Sequence, residues 1–182
     1  MLRTDAARNA DAVLATAARL LAENPSVSMA EIGRAAGVDR STVYRRFPSR
    51  DALVAAMFEA KLDAAQQAID EARVETAPFA VAVHRFLEEM IRVGRRWPVD
   101  MSLMLQDAPS RARHDEQRTR IERLVERGIR DGDVRGDLPT GWACDVLLAL
   151  LDLAIHQYED IEPGPAADLV MDSFLNATAT GR

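Results

Sequence analysis

Apolar residues recur every three or four positions through most of this chain, and no stretch alternates strictly, so the pattern predicts helices throughout and no strands. Over 5–23 the stripe is Val13, Ala17, Leu20 and Leu21, ended by Asn24-Pro25-Ser26. Ser28 followed three residues later by Glu31 is a capping box that opens a second helix at Met29. Ile32, Ala35 and Ala36 are its expected buried face. Ala30, Gly33 and Ala36 suit a close helix crossing, and Gly37 stands where a left-handed residue ends a helix. Asp39 is the next N-cap, for a helix over 40–47. Its buried stripe is Val43 and Phe47, about 40° apart, with Ser41, Thr42 and Arg45 opposite and Tyr44 and Arg46 on the shoulders. After Pro48, Ser49 can cap a long helix in which Leu53, Val54, Met57, Phe58, Leu62, Ala65 and Ile69 keep the period toward Ala72. Such a helix is about 35 Å long, enough to carry an N-terminal head well away from a body.

Pro78 can start the next helix, with Phe79, Val83, Phe86, Leu87 and Met90 on one face, and Arg95-Arg96-Trp97-Pro98 breaks it. A short apolar helix over 99–106 contains Met101, Leu103, Met104 and Leu105. Ala108-Pro109-Ser110 restarts the chain, and 111–131 alternates charges around Ile121, Leu124, Val125 and Ile129, a pattern read as a solvated helix face. The clearest loop is 132–141, whose glycines lack a phosphate-loop lysine pattern. Residues 142–155 are apolar nearly all round and should be covered on several sides, and a last helix over 165–177 carries Leu169, Val170, Phe174 and Leu175. The expected architecture is all-α: an N-terminal three-helix domain with a helix-turn-helix over 1–50, and a C-terminal helical domain over 51–182.

A helix with Ser41, Thr42 and Arg45 outward has the distribution needed in a DNA major groove, where outward side chains meet base edges and flanking ones reach phosphates. Arginine can donate two hydrogen bonds to guanine, and threonine can bond a base or set its methyl against thymine. A helical hairpin with a solvated arginine face has the same pattern, so these residues by themselves leave both readings open. Charge bears on the choice. The net charge of −6 is unevenly spread: residues 1–50 carry +3 and residues 51–182 carry −9, so the basic end can face phosphates.

Taken as an ordered set, Ile32-Gly33-Arg34-Ala35-Ala36-Gly37-Val38, Ser41-Thr42-Val43-Tyr44, Phe47-Pro48-Ser49-Arg50 and Leu53 resemble the N-terminal signature of the TetR/AcrR one-component transcriptional regulators, over about residues 8–58. The resemblance implies that Ser41, Thr42, Tyr44, Arg45 and Arg46 contact a double-stranded DNA operator. It sets Arg50, where the family usually has lysine, near a phosphate; Ser28 is included in the DNA-facing set. Gly33 replaces a usual alanine, a small-for-small exchange, and Arg46 stands where histidine is common, which leaves operator preference open. The resemblance further implies a homodimer through the last two helices and an effector pocket among the C-terminal helices. Phe86, Met90, Trp97, Met101, Met104, Cys144 and Leu148 are candidate lining residues for a small apolar effector, although each also suits an ordinary core.

Other classes find less support. His84, His114 and His156 lie on separate segments without metal-ligand spacing, Cys144 has no histidine near it in sequence, and no nucleophile elbow or dinucleotide fingerprint occurs, so no enzyme, metal or cofactor is expected. A DNA-binding regulator controlled by a protein partner, with no effector, stays open as an alternative, as does, less favourably, an all-helical enzyme. One cysteine excludes an intramolecular disulfide and fits a reducing cytoplasm. The N-terminus has no signal-like apolar core and the longest apolar run is too short for a bilayer, so a cytoplasmic protein with no membrane partner is expected.

Overall fold

The computed structural model describes residues 2–178, with side chains from Ala10 onward. Among the described residues there are nine helices and no strand: α1 (Leu2–Glu23), α2 (Met29–Ala35), α3 (Arg40–Arg46), α4 (Arg50–Ala72), α5 (Phe79–Arg96), α6 (Met101–Met104), α7 (Ala108–Asp131), α8 (Trp142–His156) and α9 (Pro163–Thr178). The expected all-α class is the one found. No described helix is long and apolar enough to cross a membrane. Two compact units divide the chain, Met1–Asp63 with Arg96–Arg111, and Ala64–Arg95 with Ala112–Arg182.

In the first unit α2 packs against both α1 and α3. The buried face of α1 is Val13, Leu14, Ala17 and Ala18, whereas Leu20 and Leu21 are half-buried. On α2 the structure buries Met29, Ile32 and Gly33 and leaves the expected Ala35 exposed. At 100° per residue, 29, 32, 33 and 36 share one arc and 35 falls outside it; the larger Met29 takes the core position. From α4, Leu53, Met57, Phe58 and Leu62 are buried in this unit. The apolar stretch expected over 99–106 forms only the single turn of α6, capped by Asp100, which accepts from the Ser102 amide at 2.8 Å.

The second unit has one large core, in which Phe86, Leu87, Ile91, Leu124, Leu147, Val170 and Phe174 meet. Burial of this apolar surface is the main force holding α5, α7, α8 and α9 together. Where α5 meets α8, a Cβ on Gly94 would come within 2.6 Å of Ile155 Cδ1, so the Ile155 side chain packs directly on the α5 backbone there. The charged run of α7 is less solvated than expected. Arg120 bonds Asp70 and Glu75, both at 2.6 Å, Arg118 bonds Glu122 and Asp145, and Arg127 donates to the carbonyls of Val74 and Glu75. Its arginines therefore stitch α7 to the end of α4 and to α8. Hydrogen bonds from Arg120 hold the Asp70 and Glu75 carboxyls below their usual range.

Arg95, the last α5 residue of this unit, fixes the connection between α8 and α9. Its guanidinium donates to the carbonyls of Ile161 at 2.6 Å, Tyr158 at 2.9 Å and Ala154 at 3.1 Å. Three acceptors at different points along the chain match a planar fork better than an ammonium. Arg95→Met is expected to lower the unfolding free energy by about 2 kcal/mol, read as a reduced urea midpoint, and Arg95→Lys to recover less than half of the loss. Unchanged midpoints would show that these bonds add nothing to the hairpin.

Candidate nucleic-acid interface

Three caps, all local in sequence, shape the segment from Ser28 to Ser49. The Ser28 hydroxyl accepts from the Glu31 amide at 3.2 Å, and the Glu31 carboxylate accepts from the Ser28 amide at 2.8 Å and from its hydroxyl at 2.6 Å. These bonds hold the Glu31 carboxyl below its usual range. Ser28 is exposed, but its hydroxyl is occupied by this capping box. At the other end of α2, Gly37 has φ +69°, and Val38 donates to the Gly33 carbonyl at 2.9 Å while Gly37 donates to that of Arg34 at 3.2 Å. This is the six-to-one and five-to-two closure of a Schellman turn, which reverses the chain into α3.

Asp39 caps α3, and Val43 and Phe47 are buried as the pattern predicted. Gly33 lets α2 sit directly on Val43: a Cβ there would stand 2.8 Å from Val43 Cγ2 and 3.2 Å from the Val38 carbonyl oxygen. The small-for-small reading of Gly33 is therefore corrected, because an alanine would have to push aside a stiff β-branched side chain.

Burial of that stripe turns the opposite side of α3 outward. Ser41, Tyr44, Arg45 and Arg46 are exposed and Thr42 is half-buried. Neither Arg45 nor Arg46 has a hydrogen bond or ion pair among the described residues. The Arg40 guanidinium lies over the Tyr44 ring, 5.2 Å from its centroid, adding a cation beside that tyrosine. Arg40 was not singled out by sequence; its spacing of four from Tyr44 on one helix face is the signal that pointed to it.

Arg50 is engaged differently from the phosphate contact expected of it. Its guanidinium donates to the carbonyls of Val27 and Pro25, tying the start of α4 to the turn between α1 and α2. Ser49 caps α4, accepting from the Ala52 amide at 3.1 Å.

The seven candidate effector residues fall in both units. Phe86, Met90, Cys144 and Leu148 belong to the second, with Phe86 and Cys144 in its core and Met90 and Leu148 packed against it. Trp97, Met101 and Met104 belong to the first. Cys144 lines a cavity of about 370 Å³ with Val125, Ile129, Leu138 and Ala143. Burial pushes its thiol up to about 11, which keeps it protonated at neutral pH and unsuited to nucleophilic work. The histidines have separate partners: His84 bonds Asp168 at 2.9 Å, His114 lies 3.4 Å from Asp115, and His156 lies 3.1 Å from Asp152. Among the described residues no group of three His, Cys, Asp or Glu could hold a metal ion.

Relatives give this geometry its context. Residues 13–57 match the family described as "Bacterial regulatory proteins, tetR family". The HTH-type transcriptional repressor LfrR of Mycolicibacterium smegmatis is 29% identical over 178 residues, covering 96% of this chain and 90% of its own length. The crystal structure of the TetR-like regulator LfrR from Mycobacterium smegmatis in complex with proflavine superimposes with a TM-score of 0.75 at 26% identity, covering 100% of both chains. The TetR family regulator PfmR from Thermus thermophilus shares the fold with a TM-score of 0.73 at 20% identity, over 93% of this chain and 99% of its own. These relatives are regulators and not enzymes. With a capped helix-turn-helix at its N-terminus that matches the TetR family over residues 13–57, and regulators of the same fold along its length, this chain is similar throughout to DNA-binding transcriptional regulators of the TetR family.

Proposed function

We propose that the chain works in the cytoplasm as a homodimeric repressor that binds a roughly palindromic operator and leaves it when a small apolar effector binds. Residues 1–50 would form the DNA-binding domain and residues 51–182 the effector-binding and dimerisation domain. The observation that carries the DNA side is the exposed face of α3, where Arg45 and Arg46 stand without partners among the described residues while Val43 and Phe47 anchor the other side. Arg45 sits centrally for a bidentate guanine contact, with Ser41 and Thr42 beside it. Tyr44 and Arg46, on the shoulders, would hold phosphate, helped by Arg40. Arg50 and Ser28 act here through the turns they brace.

Twofold pairing of two such heads would follow from α8 and α9. These helices pack on each other and leave an apolar groove of about 290 Å³ lined by Leu150, Leu153, Tyr158, Leu169 and Val170. Leu169 and Leu153 are 55% and 43% exposed, which is costly for a lone chain and natural for a surface that meets its own copy. For the effector, the second-unit candidates Phe86, Met90, Cys144 and Leu148 are the proposed lining. The proflavine complex of LfrR supports small-molecule control of this kind, and repression follows the same relative. The effector acts only through unequal affinity for two conformations, and DNA must weaken its binding by the same factor.

Arg45→Ala should cost about 1–3 kcal/mol on a DNA sequence selected from a random pool and relax preference at one base pair per half-site. An unchanged preference profile would remove Arg45 from base reading. Arg46→Ala should weaken selected and random DNA alike and lower the salt slope of binding by about one. Arg50→Ala should reduce thermal stability, since the Pro25 and Val27 carbonyls lose their donor. Leu153→Asp with Leu169→Asp should give a folded monomer by sedimentation and sharply weaker operator binding; a dimer that persists would move the interface elsewhere.

A further inference from the structure

Ser41 and Thr42 are the two hydroxyls of α3 nearest its N-terminus, and both of their protons are already committed. Ser41 Oγ donates to Asp39 Oδ1, and Thr42 Oγ1 donates to Asp39 Oδ2 at 2.8 Å. The Thr42 amide donates to Oδ1 as well, at 3.0 Å. A hydroxyl has one proton and two lone pairs, so each of these side chains is left with lone pairs alone to offer outward. The hydrogen bond from Ser41, then those from Thr42, hold the Asp39 carboxyl well below the usual range, so its oxygens stay acceptors at any ordinary pH.

We propose that Asp39 is a specificity-determining positioning residue, which by holding both hydroxyl protons makes Ser41 and Thr42 acceptors toward DNA. Acceptors read the exocyclic amino groups of adenine N6 and cytosine N4. They do not bond guanine O6, thymine O4 or a phosphate oxygen, all of which need a donor. Swinging a hydroxyl away from Asp39 would exchange a charge-assisted bond for a weaker neutral one at a base carbonyl. It would also bare the carboxylate beside a phosphate backbone. The outward face of α3 thus combines a donor, Arg45, with two acceptors. This inference rests on the DNA-reading role proposed for α3.

The test uses the full chain and a duplex selected by it from random DNA. Each adenine is replaced in turn by purine and each cytosine by 2-pyrimidinone, analogues that lack the exocyclic amino group, and affinity is measured by fluorescence anisotropy. The wild-type protein should lose about tenfold at one or two positions per half-site. Asp39→Asn, which remains a good N-cap but frees at least one hydroxyl proton, should reduce that loss to below threefold and select guanine or thymine there. Ser41→Ala with Thr42→Val, which leaves Asp39 in place, should abolish the sensitivity. Indifference of the wild type to every amino group, or equal losses in wild type and Asp39→Asn, would overturn the assignment of Asp39 while leaving DNA reading intact. Failure of the wild type to enrich any sequence would overturn both.

Discussion

The contact between Gly33 and Val43 decides which way α3 faces. With no Cβ on Gly33, the α2 backbone settles onto Val43, and Phe47 is buried one turn further along the same stripe. Once that stripe is buried, the helical period leaves no freedom for the rest: Ser41 and Arg45 must lie on the outer side. A side chain of one extra carbon at position 33 would have to displace the Val43 side chain, which it would meet at 2.8 Å. The Schellman turn at Gly37 and the Asp39 cap set how far apart α2 and α3 lie along the chain, so the head is specified by a crossing and two turns more than by a large core.

The caps were legible from sequence because their partners are three residues away. Ser28 with Glu31, Asp39 with Thr42 and Ser49 with Ala52 each close within one turn, and each was found as read. Partners far apart in sequence were not legible. Arg50 looked like a phosphate ligand, and its engagement with carbonyls 23 and 25 residues earlier follows only from how α1 and α2 fold back. The arginines of α7 show the same limit: a mixed-charge run reads as solvated until α4 and α8 bring Asp70, Glu75 and Asp145 alongside. On α2 the pattern is faint for another reason: alanines at 30, 35 and 36 are too small to mark the buried arc, which Met29 at the first helical position takes with Ile32 and Gly33.

The second unit was readable as a helical core but not as a site. Large apolar residues on α5, α8 and α9 announce burial, and periodicity cannot separate those that line a cavity from those that fill one. Cys144 illustrates this, being at once 2% exposed and part of a cavity wall. The groove of α8 and α9 is better marked, because the large apolar side chains of Leu153 and Leu169 remain exposed beside it. Its neighbour Arg95 holds the connection between those helices by three carbonyls, so the shape of that groove depends on one guanidinium.

Central to this account is that the outward face of α3, from each of two chains, lies in a major groove. Dimethyl sulfate footprinting on a selected duplex tests this directly, because it modifies guanine N7 in the major groove and adenine N3 in the minor groove. Two patches of protected guanine N7, related by twofold symmetry and about one or two helical turns apart, are the predicted result. Protection confined to adenine N3, or a single unsymmetrical patch, would contradict it.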